Sequence, residues 1–321
     1  MADQFTGTVN SGTIGPAYAN LTVAGYDRYL EYQLRSRPIF RQLVDKHPVD
    51  VTNPGPTVTL SIVNEFSALA TTPLTENVDV AAVSPPDVTR VTVSVAEYGN
   101  ADLATLKLKQ LAFTPVDPAI ANVLGKNMID TLDKLAQNQL DAATNVIGVN
   151  ATVVKTTGFA EGSVAAGDNF SSAVARDSVA LLRRRNAMGR DGADQFLAVI
   201  HPDVAVDVMS DTGWLNPHNY QDTSNIYNAE IGSYLGARYV MSPRCTVVAD
   251  GATSTKVYRT YFVGSQALVE AQVSAEHIVI GPQTDKLRRF FPIGWLYHGG
   301  FAIFRQEAIQ VARTASSIAA L

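Results

Sequence analysis

The sequence predicts an α+β fold, and three observations carry that prediction. Residues 117–148 repeat apolar side chains at helical spacing over roughly thirty residues, about 43 Å of rod. Residues 57–63 (TVTLSIV) and 88–95 (VTRVTVSV) alternate apolar with polar positions, the pattern of half-buried strands. From residue 172 onward, short helical and strand-like stretches follow one another.

Taken in order, residues 1–25 are polar, threonine- and glycine-rich and almost uncharged. They read as an extended arm that owes its order to whatever it lies against. Residues 26–46 predict a short helix broken before Pro38 and then a second short turn, in a segment where Arg28, Arg35, Arg37, Arg41 and Lys46 outnumber Asp27, Glu31 and Asp45. The two strands that follow are joined by a long connection containing Pro73, Pro85 and Pro86. Hairpin loops normally hold about 2–5 residues, so this pair predicts a projecting two-stranded arm. It is acidic, carrying Glu65, Glu76, Asp79, Asp87 and Glu97 against Arg90 alone, with no lysine.

The long helix is expected to start with Asp117 as N-cap and Pro118 at the first helical position, and to stop at Gly148. Ile120, Leu124, Met128, Leu132, Leu135, Ala143 and Ile147 form its apolar stripe. A coiled coil would need a partner helix of the same kind; a single long helix packed across a sheet fits better. Beyond a Gly/Ala/Thr-rich stretch, helices are predicted at 172–188 (stopped by Gly189), 203–210 and 228–235. Strands are predicted at 196–200, 237–241, 256–263 and 277–280, and residues 301–309 alternate before an alanine-rich end.

Composition bounds function. The 321 residues are 46% hydrophobic and 17% charged, with a net charge of -5. Disorder is excluded as the dominant state, but soluble domains usually carry about a quarter charged residues. A Thr/Ser/Ala-rich surface and a surface that faces other subunits both account for the shortfall. The single cysteine, Cys245, rules out an internal disulfide or a thiolate zinc cluster and reads as a small buried residue. The longest strongly apolar stretch, 290–304, is interrupted by Pro292, Gly294, Gly299 and Gly300 and is too short for a spanning helix, so no membrane partner is expected. The first basic residue is Arg28, so no secretory signal is expected, and the chain works in the compartment where it is made.

Mild acidity argues against a dedicated nucleic-acid binder. The one tight basic cluster, Arg183, Arg184 and Arg185, reads as a solvated helix face or an intersubunit contact. No two of the five histidines sit at metal-ligand spacing, no phosphate-cradling glycine loop occurs, and Gly232 to Gly236 has its serine in the wrong place for a nucleophile elbow. His201-Pro202-Asp203 matches a co-chaperone tripeptide, but a strand precedes it here, so it reads as a turn with Asp203 capping the next helix. Asp207 and Asp211 read as solvated carboxylates on an exposed helix. No catalytic, cofactor-binding or metal site is expected.

The order of parts resembles the major capsid protein of tailed bacteriophages, with the fold typified by phage Hong Kong 97. The phrases RPIFRQLVDKHPV, HPDVAVDVM, GWLNPHNYQDTSNIYNAEIGSYLGARYVMSP, YFVGSQAL and FPIGWLYHGGFAIFRQEAI resemble the coat branch of N-four-like podophages and many actinobacterial phages. That resemblance implies an N-terminal arm (1–52), an extended loop or E-loop (53–103), a peripheral P-domain with a spine helix (104–165 and 281–321) and an axial A-domain (166–280). It implies a non-enzymatic subunit that closes into hexamers and pentamers around double-stranded DNA, bound without sequence specificity, in a virion assembled in the host cytoplasm. Portal, scaffold and decoration proteins are further partners it allows.

Within that scheme, the acidic loop is expected to meet a neighbour's Arg28, Arg35, Arg37 or Arg41, or its Arg183, Arg184 and Arg185. Some relatives are locked by isopeptide bonds from a loop lysine. No lysine lies between Lys46 and Lys107, so a non-covalent shell is expected. Two other readings stand beside this one: an encapsulin-like nanocompartment shell, and a hydrolase using His201 and Asp203.

Overall fold

A computed structural model describes residues 36–49, 55–64, 73–74, 76–79, 84, 86–111, 116–154, 158–190, 194–211, 232–282, 285–287 and 289–318. The strands are β1 (Val44–Pro48), β2 (Thr57–Val63), β3 (Val88–Ser94), β4 (Ala96–Thr105), β5 (Val146–Asn150), β6 (Thr152–Val154), β7 (Phe196–Ile200), β8 (Ser233–Tyr234), β9 (Ala237–Met241), β10 (Val247–Val248), β11 (Val257–Val263), β12 (Leu268–Ile280), β13 (Phe290–Ile303) and β14 (Ile309–Thr314). The helices are α1 (Leu106–Leu111), α2 (Val116–Asp141), α3 (Ser172–Arg184) and α4 (Pro202–Ser210).

These strands make three sheets. The largest runs β6-β5-β14-β11-β7-β9-β8, with β10 also on β11. A four-stranded sheet runs β1-β12-β13-β4, and β2 pairs with β3 alone. The apolar stretch at 290–304 is therefore an inner strand of the four-stranded sheet. Two pairings cut across the segments expected from the sequence: β12 sides with the smaller sheet, while β14 lies in the middle of the larger one.

Helix α2 joins the two. Leu124, Leu132, Ala136 and Leu140 share one core with Ile293, Trp295, Tyr297 and Phe301 of β13 and with Tyr261, Val263 and Val311 of the larger sheet. The opposite face of the larger sheet, including Ala198, Ile200, Phe262 and Ala312, is closed by Val174, Val179 and Leu182 of α3 and by Val204 and Val208 of α4. The central strands β7 and β11 are thus buried on both sides, and β7 (FLAVI) reads as a continuous apolar run for that reason.

Several expectations need correction. Helix α2 ends at Asp141, seven residues before Gly148, and spans about 39 Å. Ala143 and Ile147 continue the apolar pattern, yet Ile147 belongs to β5, a buried strand, where apolar side chains are required for another reason. Gly148 is no helix stop either; a Cβ there would collide with the Phe159 ring, so glycine lets that ring close over the strand. Helix α3 ends at Arg184 rather than at residue 188.

Of the helix expected at 228–235, residues 228–231 lie outside the described residues. Ser233 and Tyr234 instead pair with β9 through a tight turn, with Leu235 and Gly236 at positive φ. The stretch before residue 36 also lies outside the described residues. The turn expected after Pro38 is present as a 3-10 helix, Phe40–Leu43, followed by β1, which no alternation had marked. Cys245 is buried, as expected.

Candidate intersubunit surface

The paired strands β2 and β3 keep strict register, from Thr57 opposite Ser94 to Val63 opposite Val88. Alternation puts Val58, Leu60 and Ile62 on the same face as Val91 and Val93. Only the base of that face is covered. Val93, Val58 and Leu60 pack against Val269, Ala271, Ala302 and Phe304 of the four-stranded sheet. Gly300 permits the approach, since a Cβ there would strike the Ser94 carbonyl oxygen. On the opposite face Val63, at the end of β2, is 71% exposed, and in the connection Leu74 is 77% and Val78 67% exposed. A lone two-stranded ribbon is marginal in water, and here Ile62 and Val91 are half-buried while Val63 and Val88 at its far end stand open.

Acidic side chains fringe this ribbon. Glu76, Asp79 and Asp87 are exposed in the connection, and Arg90 is exposed on β3. Glu97 falls in β4, at the edge of the four-stranded sheet opposite His298, so it belongs to the body and not to the ribbon. Glu65 lies outside the described residues, as do Arg28 and Arg35.

The basic candidates divide. Arg37 is exposed. Arg41 is spent inside the subunit: it forks onto the fully buried Glu270 (Nη2 to Oε1 2.8 Å, Nε to Oε2 3.3 Å) and onto Glu276 (2.7 and 2.9 Å). Burial opposes its charge, but the hydrogen bonds to both glutamates outweigh that and raise its pKa above the ordinary value. The same bond from Arg41 holds the Glu276 carboxyl below its usual range. Tyr297 adds a hydroxyl to Glu270 at 2.9 Å. Arg183 and Arg184 are exposed at the end of α3, whereas Arg185 donates to Gln310 at 2.8 Å. Of the expected acceptors among the described residues, Arg37, Arg183 and Arg184 are therefore the outward ones.

The His201 pair serves the fold. His201 is the N-cap of α4, its Nδ1 accepting the Asp203 amide at 3.2 Å, so Asp203 is not the cap. Burial lowers the His201 pKa from its ordinary value of 6.5, with Asp203 opposing; the neutral ring is the form that can accept. Asp203 in turn accepts the Tyr258 hydroxyl at 2.8 Å. Asp207 and Asp211 are not solvated bystanders. Asp207 is buried and accepts from the Ser317 amide and hydroxyl, and Asp211 accepts the Ser172 amide at the start of α3 (2.6 Å).

Among the described residues no group of three or more His, Cys, Asp or Glu could hold a metal ion. None of their helices is long and apolar enough to cross a membrane.

Sequence reasoning missed a set of arginines that act on the chain at 36–45. Arg190 donates to the carbonyls of Leu43 (2.7 Å) and Gln42 (3.2 Å), and Arg244 donates to Ser36. Nothing in local spacing signals such partners, which lie more than a hundred residues away.

Comparison with known proteins supplies the remaining observation. The sequence model of a family described as phage capsid protein matches residues 24–305. Solved structures with the same fold include the capsid of Ralstonia phage GP4 (TM-score 0.71, 12% identity, 92% of this chain and 95% of that one). The cyanophage Pam1 capsid is similar over 99% of this chain and 100% of its own (TM-score 0.69, 15% identity). The head of Helicobacter pylori bacteriophage KHP40 matches over 94% and 98% (TM-score 0.66, 10% identity). Among curated proteins, nothing matches the sequence.

Proposed function

The chain belongs to the phage capsid protein family, and from that premise we propose that its acidic ribbon and the residues preceding Ser36 are what join one subunit to the next. It is a major capsid protein, a structural subunit of the head shell, and its place is the virion. Many copies close into hexamers and pentamers, each contact modest and the whole stabilised by repetition. The segment scheme 1–52, 53–103, 104–165, 166–280 and 281–321 is kept as a proposal.

One observation carries this reading. The end of the β2–β3 ribbon and the connection beyond it present Val63, Leu74 and Val78 to solvent. A monomer gains nothing from such exposure, whereas a neighbouring copy that covers them recovers the burial energy. The acidic fringe gives that contact its direction: Glu76, Asp79 and Asp87 would face a neighbour's Arg37 or its Arg183 and Arg184. Net acidity also suits a DNA container, because a strongly basic lining would bind phosphates and resist packaging and release.

Sedimentation of the expressed chain, with phage partner proteins supplied, is the test. Shells, or hexamers and pentamers, are expected. A lone 34.4 kDa species under all conditions would overturn the reading.

A further inference from the structure

Burial anchors the beginning of the described chain at Phe40 and Leu43, both essentially inaccessible to solvent. Four residues earlier there is a second hold, made without burial of an apolar side chain. Arg244, in the turn after β9, donates from Nη2 to the Ser36 carbonyl at 2.7 Å. Its Nε donates to the same carbonyl at 3.1 Å and to the Ser36 hydroxyl at 2.9 Å. The same guanidinium is paired to Asp130 of α2 at 2.6 Å and lies 3.5 Å from Asp133.

That turn is itself fixed to α2. Gln137 donates to the Arg244 carbonyl and to the Thr246 hydroxyl. Asp133, 1% exposed, accepts the Arg41 amide at 3.0 Å at the other end of the segment. Burial pushes the Asp133 carboxyl up, against that amide and the charge of Arg244. Asp130, Asp133 and Gln137 recur at spacings of three and four, one face of the helix. Three parts of the molecule thus meet at Arg244: α2, the edge of the larger sheet, and the chain at Ser36.

A fork onto a backbone carbonyl fixes direction more than position. Between Ser36 and the first buried side chain stands Pro38, whose ring locks φ. With the Ser36 carbonyl held as well, the backbone at Ser36 is fixed in direction relative to α2 and to the larger sheet. Core packing at Phe40 alone would leave that direction free.

We propose that Arg244 is a positioning residue for assembly: held by Asp130, it grips Ser36 and fixes the backbone there, at the junction with residues 1–35. This rests on the reading above that those residues join subunits. Arg41, Arg190 and Asp133 hold residues 40–45 in place; Arg244 holds the chain at Ser36. Lysine would keep the charge beside Asp130 but cannot fork onto the carbonyl and hydroxyl together.

The test uses the full chain, wild type and Arg244→Lys, in three measurements. Trypsin cleavage of the Arg35–Ser36 bond in unassembled subunits reads the grip directly; the next site, Arg37, is followed by proline and resists cutting. Loss of a charged hydrogen bond should speed that cleavage about tenfold, since cutting tracks the open fraction. Thermal melting of the subunit should stay within the scatter of the wild type, and shell yield at equal subunit concentration should fall several-fold.

Faster cleavage with undiminished shell yield overturns the proposal, and so does unchanged cleavage. If Arg244→Lys does not fold, Asp130→Asn decides by the same readouts, since it loosens the guanidinium while keeping the side-chain shape. Wild-type chain that never assembles would overturn the assembly reading and this inference with it. Wild-type shells matched by variant shells would overturn this inference alone.

Discussion

The larger sheet and the β2–β3 ribbon are made from the same valine-, isoleucine- and threonine-rich sequence, but they are closed to different degrees. In β11, Val257, Tyr261, Phe262 and Val263 are all inaccessible to solvent, with α2 on one face and α3 and α4 on the other. In the ribbon Val93 alone reaches that state, and Val63 stands open. Similar strand propensity therefore has two outcomes: in the sheet it stabilises the subunit, and at the end of the ribbon it leaves apolar surface open to solvent.

The largest test of this contrast is a pair of substitutions. Phe262→Ala should cost the subunit about 3–5 kcal/mol through lost burial and a residual cavity, measured by denaturant unfolding. Val63→Ser should change subunit stability by no more than about 0.5 kcal/mol while lowering shell yield. Equal losses at the two sites would erase the distinction between them.

Charge gives a smaller effect. Replacing Glu76 and Asp79 together by lysine should leave the unfolding midpoint of the subunit unchanged and impair assembly, most clearly at low salt. Each exposed pair contributes only about 0–1 kcal/mol, and the shell multiplies it. If shell yield and stability match the wild type, the acidic fringe has no part in the contact.

The smallest effect lies within the closed region and sharpens it. His201 caps α4 as a neutral ring with a depressed pKa. Between that lowered value and the ordinary 6.5 the unfolded chain binds more protons than the folded one, so stability falls as pH drops below 6.5. Asparagine can cap without titrating there. His201→Asn should therefore flatten the pH dependence of the melting temperature between neutral and mildly acidic solution. An unchanged slope would remove His201 from the account.

How much was legible follows from range. The ribbon strands, β7, β9 and β11 could be read because alternation and unbroken apolar runs are properties of neighbouring residues. The end of α2 could not, since Ala143 in the connection and Ile147 in a buried strand satisfy a helical stripe equally well. The ribbon's acidic residues were readable as a group, but Arg41 was not separable from Arg37: its partners Glu270 and Glu276 lie more than two hundred residues on. The clamps at Asp207, Asp211 and Arg244 were missed for the same reason, whereas the His201 cap is local and only the wrong member of the pair was expected to make it. Each clamp depends on which turns the fold brings together.

The position of β14 has a consequence for the order of synthesis. It is paired in parallel with β5 on one side and antiparallel with β11 on the other. Until residue 314 has emerged from the ribosome, the larger sheet exists as two pieces with raw edges, β5–β6 and the group around β11. The strand made last among these is the keystone between them. A nascent or prematurely terminated chain therefore cannot complete the face against which α2 and Arg244 are set. A chain that stops short of this strand lacks the pairing that joins β5 to β11.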